Sequence, residues 1–190
     1  MMPIVVVSGL PRSGTSMMMK MLEAAGVDPI TDGVRAPDAD NPGGYYEFEP
    51  VKDLAQDRAW LAEAGGRSIK VVSRLLTELP DDYRYSLIFM RRHLGEILAS
   101  QQEMLIRRGK PSPETEDDKM GELFQKHLDE IEGWLRGKTN FRVHYVSYNA
   151  LLDGALNEVL KIREFLGMEM NLDRMVAVVD PNLYRRRSPC

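Results

Sequence analysis

The stretch PIVVVSGLPRSGTS, residues 3–16, decides how the rest of the chain is read. Its opening PIVVVS is a β-branched run bounded by Gly9 and Pro11, the pattern of a short strand buried on both faces. GLPRSGTS, residues 9–16, follows directly and opens a helix whose apolar face is Met17, Met18, Met21 and Leu22 and whose end is marked by Gly26. Gly9 and Gly14 have the spacing of a Walker A loop, in which glycines allow a tight turn and close backbone approach. The amides of Ser13, Gly14, Thr15 and Ser16 are then placed to face a phosphate, helped by the helix dipole. An ordinary Gly-Pro turn accounts for the glycines, but not for strand, glycines, hydroxyls and the Arg12 cation together. Thr15 stands where nucleoside-triphosphate loops carry a lysine. YSLIFM, residues 85–90, runs into Arg91 and Arg92 rather than an aspartate that would help hold magnesium. Metal-dependent phosphoryl transfer is thereby disfavoured.

Working outward, SIKVVS (68–73), YSLIFM (85–90) and FRVHYVS (141–147) read as further strands. Three amphipathic stripes read as helices: Leu94 to Leu105, Met120 to Leu135, and Leu156 to Leu166 with Gly167 as the stop. The methionines of the first helix read as core filling. Alternating strands and helices predict a single α/β domain over 1–190, a three-layer α/β/α sandwich around a mostly parallel sheet. Two segments are expected to be substrate or lid loops, 27–50 and 107–118, because connections of that length in a compact domain are usually functional or disordered.

The chain has 190 residues, 43% hydrophobic and 28% charged, enough for one buried core. Its 25 basic and 29 acidic side chains give a formal charge of -4, the opposite of a nucleic-acid footprint, so any anion site must be local. No apolar run approaches the roughly 20 residues of a membrane span. The MMPIVVVSGL opening lacks a charged leader, and Cys190 is the single cysteine, so a cytoplasmic protein without disulfides is expected.

PRSGTS, residues 11–16, resembles the 5'-phosphosulfate loop of the sulfotransferase family, P-[KR]-[ST]-G-T-[ST], position by position. FMRRHLGEILASQ, residues 89–101, resembles the family's second signature, a strand-ending Arg with a Ser eight residues on, here Arg92 and Ser100. NPGGYYE (41–47), HYVSYNALLDGALNEVLKIREFLGME (144–169) and DPNLYRRR (180–187) are similar to the bacterial branch, so the resemblance runs from residue 4 to about residue 187. It implies a P-loop NTPase-like fold and transfer of a sulfuryl group from 3'-phosphoadenosine 5'-phosphosulfate (PAPS) to a hydroxyl or amine, with no metal required. It places Arg12, Ser13, Gly14, Thr15 and Ser16 on the 5'-phosphosulfate and Arg92 and Ser100 on the 3'-phosphate. Because Arg92 precedes its helix, its arm can fold back along the first turns toward Ser100. Arg91 is either a second contact or points to the other side of the sheet. The chain departs from the family where Arg-Asp-Pro reads Arg92-His93-Leu94 and where an Arg-Lys-Gly segment is absent. Arg185, Arg186 and Arg187 are either its replacement or a solvated tail.

In that chemistry Arg12 is the expected cation on the leaving side, since a guanidinium stabilises charge without donating its proton. Glu47 is the candidate base, because Tyr46 and Phe48 flank it and would desolvate it. Glu49 is an alternative, and Lys70 either reaches the reaction centre from its strand or flanks the sheet. His127 reads as a packed, hydrogen-bonded histidine, His93 as the opening of its helix and His144 as a structural strand residue. Their dispersion offers no metal site. The acceptor is expected to be a small molecule or glycan, with Tyr45, Tyr46 and Phe48 hinting at a ring-bearing or lipid-like group. An ATP-dependent small-molecule or nucleotide kinase and a non-catalytic nucleotide-binding protein stay open as alternatives, and so does the oligomeric state.

Overall fold

In the computed structural model the described residues are 2–38, 41, 43–110 and 114–179. Among them five strands form one parallel sheet in the order β2-β3-β1-β4-β5. They are β1 (Ile4–Gly9), β2 (Pro29–Ile30), β3 (Ser68–Lys70), β4 (Tyr85–Arg91) and β5 (Phe141–Ser147). Helix α1 (Thr15–Ala24) links β1 to β2, α2 (Leu94–Arg107) and α3 (Glu114–Arg136) link β4 to β5, and α4 (Tyr148–Leu166) and α5 (Leu172–Ala177) follow β5. Three 3-10 turns, Glu49–Asp53, Ala59–Glu63 and Ser73–Glu78, fill the remaining connections.

β1 lies in the middle of the sheet, which is why it is buried at every position and β-branched from Ile4 to Val7. The strand period sends Ile4 and Val6 to one face, with Leu87, Phe89 and the α3 residues Ile131 and Leu135. Val5 and Val7 face the other layer, where Met18, Met19, Met21 and Leu22 of α1 pack with Leu151, Val159 and Ile162 of α4. The methionines of α1 are therefore core, as read. The result is the expected α/β architecture of a parallel sheet between helical layers.

The structure corrects several boundaries. β3 is confined to Ser68–Lys70, because Ser73 already begins a 3-10 turn. Within the expected loop at 107–118, α2 runs to Arg107 and α3 begins at Glu114. The segment 27–50 contains β2 and otherwise folds back on itself. Thr31 Oγ1 donates to the Glu47 carbonyl at 2.9 Å and the Glu49 amide donates to Asp32 at 2.6 Å. α4 starts at Tyr148, capped by the Ser147 hydroxyl, is interrupted at Gly154, and ends on Gly167 at φ 63°. Among the described residues no helix is long and apolar enough to cross a membrane. Arg185, Arg186, Arg187 and Cys190 lie outside the described residues, as do parts of the two expected loops.

Candidate active site

The loop after β1 is locked by its own bonds before any ligand is considered. The Ser13 hydroxyl donates to the Leu10 carbonyl at 2.7 Å and its amide to the same oxygen at 3.2 Å, and Ser13 is buried. Ser13 thus shapes the loop and does not line the cavity beside it, unlike the other loop residues named from sequence. The first helical bond of α1 runs from the Met18 amide to the Gly14 carbonyl, which leaves the amides of Thr15, Ser16 and Met17 at the open end of the helix. Gly14 holds φ 98°, and a Cβ there would lie 2.5 Å from Tyr148 Cδ2, so the glycine admits the Tyr148 ring against the loop. Arg12 is also left-handed, at φ 70°, the turn that sends its side chain across to α2.

That side chain joins the two signatures. Arg12 Nε donates to Ser100 Oγ at 3.0 Å, and Arg92 Nη1 donates to the Arg12 carbonyl at 3.1 Å. Arg92 is held by a buried carboxylate, Glu96, whose Oε2 accepts from Arg92 Nε at 2.9 Å while Oε1 accepts from Asn149 Nδ2 at 3.0 Å. The Arg92 guanidinium also lies over the Tyr148 ring, 4.5 Å from its centroid, and burial raises the Tyr148 phenol above its ordinary range. The first residues of α4 therefore fasten α2 to the phosphate loop. Glu96, Tyr148 and Asn149 were not named from sequence. The one signal for Glu96 was its four-residue spacing from Arg92. Arg91 turns to the other side of the sheet, pairing with Glu132 and stacking on Tyr145.

Opposite this clasp stands Lys70, at the end of β3. Its Nζ donates to the Tyr45 carbonyl and, at 3.4 Å, to Ser16 Oγ, and lies 3.9 Å from Glu47 Oε1. Burial lowers its pKa to about 8, against the raising effect of Glu47 and with a further lowering from Arg35. Glu47 does reach the cavity, though not in the aromatic setting expected of it. Tyr46 adopts φ 52° and donates its hydroxyl to Glu23, and Phe48 packs edge-on against Trp60. The carboxylate is met instead by cations, with Arg35 Nη1 at 2.8 Å and Lys70 beyond. Glu49 pairs with Lys52 on the surface and does not line the cavity. His127 accepts or donates a 2.8 Å bond with Ser73, His93 is the N-cap of α2, and His144 stacks on Phe165, all away from the cavity.

The cavity between clasp and lysine holds about 450 Å³ and is lined by Arg12, Gly14, Thr15, Ser16, Arg92 and Ser100 together with Tyr45, Glu47 and Lys70. Among the described residues no group of three His, Cys, Asp or Glu side chains is arranged to hold a metal.

No protein-family model and no curated protein sequence matches the chain. Solved structures do. The sulfotransferase domain of the Synechococcus PCC 7002 olefin synthase superposes with a TM-score of 0.58 at 15% identity, over 98% of this chain and 83% of that one. The sulfotransferase domain from the curacin biosynthetic pathway gives 0.55 at 16% identity, over 98% and 87%. A sulfotransferase from Alicyclobacillus acidocaldarius gives 0.51 at 13% identity, over 98% of both chains. The chain thus has the sulfotransferase fold, in agreement with the resemblance carried by its phosphate loop.

Proposed function

We propose that the protein is a sulfotransferase, moving a sulfuryl group from PAPS to a hydroxyl or amine of a small-molecule or glycan acceptor. The observation that carries this reading is the meeting of two remote signatures in one cavity, where Arg12 of the loop bonds Ser100 of α2 at 3.0 Å. A nucleotide with phosphates at both ends needs two anion-binding stations on one wall, and a cavity of about 450 Å³ suits a ligand of that size.

When bound, PAPS supplies a sulfuryl group on an oxygen that leaves as phosphate, so the chain's task is binding, alignment and charge neutralisation. The first-turn amides of α1, with Thr15 and Ser16, hold the 5' end, and Arg92 and Ser100 hold the 3'-phosphate. Arg12 reaches both stations and supplies charge without giving up a proton. Lys70, its pKa lowered to about 8 by burial, meets the loop at Ser16 and supports the developing negative charge. Glu47, beside it, accepts the acceptor's proton.

Calorimetry and thermal unfolding with 3',5'-adenosine bisphosphate and with magnesium ATP test the donor. The bisphosphate is expected to bind and stabilise without metal, and to bind more weakly to Ser100→Ala. A magnesium-dependent ATP effect with no response to the bisphosphate would replace this reading by a kinase.

A further inference from the structure

The geometry points to a second cavity, of about 200 Å³ beside the first, as a subsite for an oxyanion of the acceptor, held by Arg35. The substrate class is then an alcohol, phenol or amine that also carries a carboxylate, phosphate or sulfate. This rests on the sulfuryl-transfer reading above and adds to it the identity of the acceptor's second group.

Arg35, Tyr45 and Glu47 line both cavities, so together they form the wall between them. The guanidinium carbon lies over the Tyr45 ring, 3.3 Å from its centroid, and Tyr45 is buried and tied to Asp38 through its hydroxyl at 2.6 Å. Arg35 is therefore held at that wall by the ring and by Glu47, while its side chain stays 40% exposed to an incoming anion. Among the described residues its hydrogen-bond partner is Glu47, through Nη1. The other described residues around the small cavity, such as Thr31, Pro37 and Gly43, carry no charge. A planar donor set in this open depression matches a carboxylate or a phosphate, and 200 Å³ is too small for a nucleotide, which separates this subsite from the donor's.

The wall also explains why the anion matters for turnover. In this structure Glu47 Oε1 is occupied by Arg35 at 2.8 Å. A neutral acceptor leaves that pair in place. An oxyanion on Arg35 takes over its donors and frees Oε1 for the acceptor's proton, while the acceptor oxygen or nitrogen bonds to sulfur and the bridging S–O bond breaks, its electron pair leaving on the adenosine bisphosphate. Arg35 is one of the charges that lower Lys70 to about 8, so neutralising it also returns positive charge to Lys70.

The test offers the full chain matched probes with labelled PAPS: 4-hydroxybenzoate against its methyl ester, 3-hydroxybutyrate against its methyl ester, and glycerol phosphate against glycerol. Charged members are expected to be preferred about 30-fold in kcat/KM. Arg35→Gln is expected to shrink the preference to about threefold while bisphosphate affinity stays within about twofold, and Arg35→Lys to keep part of it. The inference is overturned by a preference for neutral members, by a preference that survives Arg35→Gln, or by no transfer to any charged member while the bisphosphate binds. A loss of bisphosphate affinity in Arg35→Gln overturns it too, by assigning Arg35 to the donor. Absence of bisphosphate binding by the unaltered protein is a different result, because it removes the sulfuryl-transfer reading itself.

Discussion

Replacing Lys70 with methionine should make the protein more stable at neutral pH while abolishing transfer. The lysine side chain is 9% exposed, and burial holds its pKa at about 8 where an unfolded chain has 10.5. Between those two values the unfolded chain keeps the proton and the folded chain does not. Stability therefore rises with pH across that window, and the full cost of the buried charge is present below about pH 8. That cost is about 3 kcal/mol at pH 7 and falls to about 1 kcal/mol at pH 10. Methionine has a similar length and no charge, but it removes the Lys70 hydrogen bond to the Tyr45 carbonyl, which keeps the Ser16 hydroxyl at 3.4 Å, a loss of about 1 kcal/mol. The net expectation is a gain of about 2 kcal/mol at pH 7, about 6 °C in Tm for a chain of this size, vanishing near pH 10. Urea unfolding of both proteins at pH 7, 8.5 and 10 measures it. A variant that is no more stable at pH 7, or a difference that does not change with pH, would refute the argument that a desolvated cation sits here at the expense of stability.

Two other substitutions probe the clasp. Gly14→Ala forces a side chain onto φ 98° and puts its Cβ 2.5 Å from Tyr148, so a loss of about 2–4 kcal/mol in urea unfolding is expected. Adding Tyr148→Ala should remove the steric part of that coupling and leave the backbone part, which a double-mutant cycle reads directly. Glu96→Ala strips the carboxylate from an Arg92 whose side chain is 10% exposed, and it should cost about 3–5 kcal/mol in the same assay, with Glu96→Gln costing less.

What the sequence revealed, and what it hid, follows from how local each feature is. β1 and β4 were legible because strands buried on both faces read as unbroken apolar runs. β2 was not, since two residues, one of them Pro29, carry no period at all. The phosphate loop is written in eight consecutive residues, and Arg92 and Ser100 lie on one strand-helix unit, so both could be read. The bond from Arg12 to Ser100 spans 88 positions and only the folded sheet brings it about. Glu47 illustrates the limit. Its neighbours in sequence, Tyr46 and Phe48, turn to Glu23 and Trp60, and the groups that surround it come from Arg35 and Lys70. Alternation along an extended strand would have kept the aromatics apart from the carboxylate, and the left-handed turn at Tyr46 reorganises that stretch in a way composition does not announce.

The placement of β1 bears on how the chain survives its own synthesis. Its backbone pairs with β3 and β4 on its two sides, so IVVVSG has no sheet partner until Ser68–Lys70 has been made and no second one until Tyr85–Arg91 follows. An uncharged, β-branched hexamer waiting that long is the kind of segment that self-associates or is held by chaperones. Expression yield should therefore depend on translation speed and chaperone supply more than the stability of the finished domain would suggest.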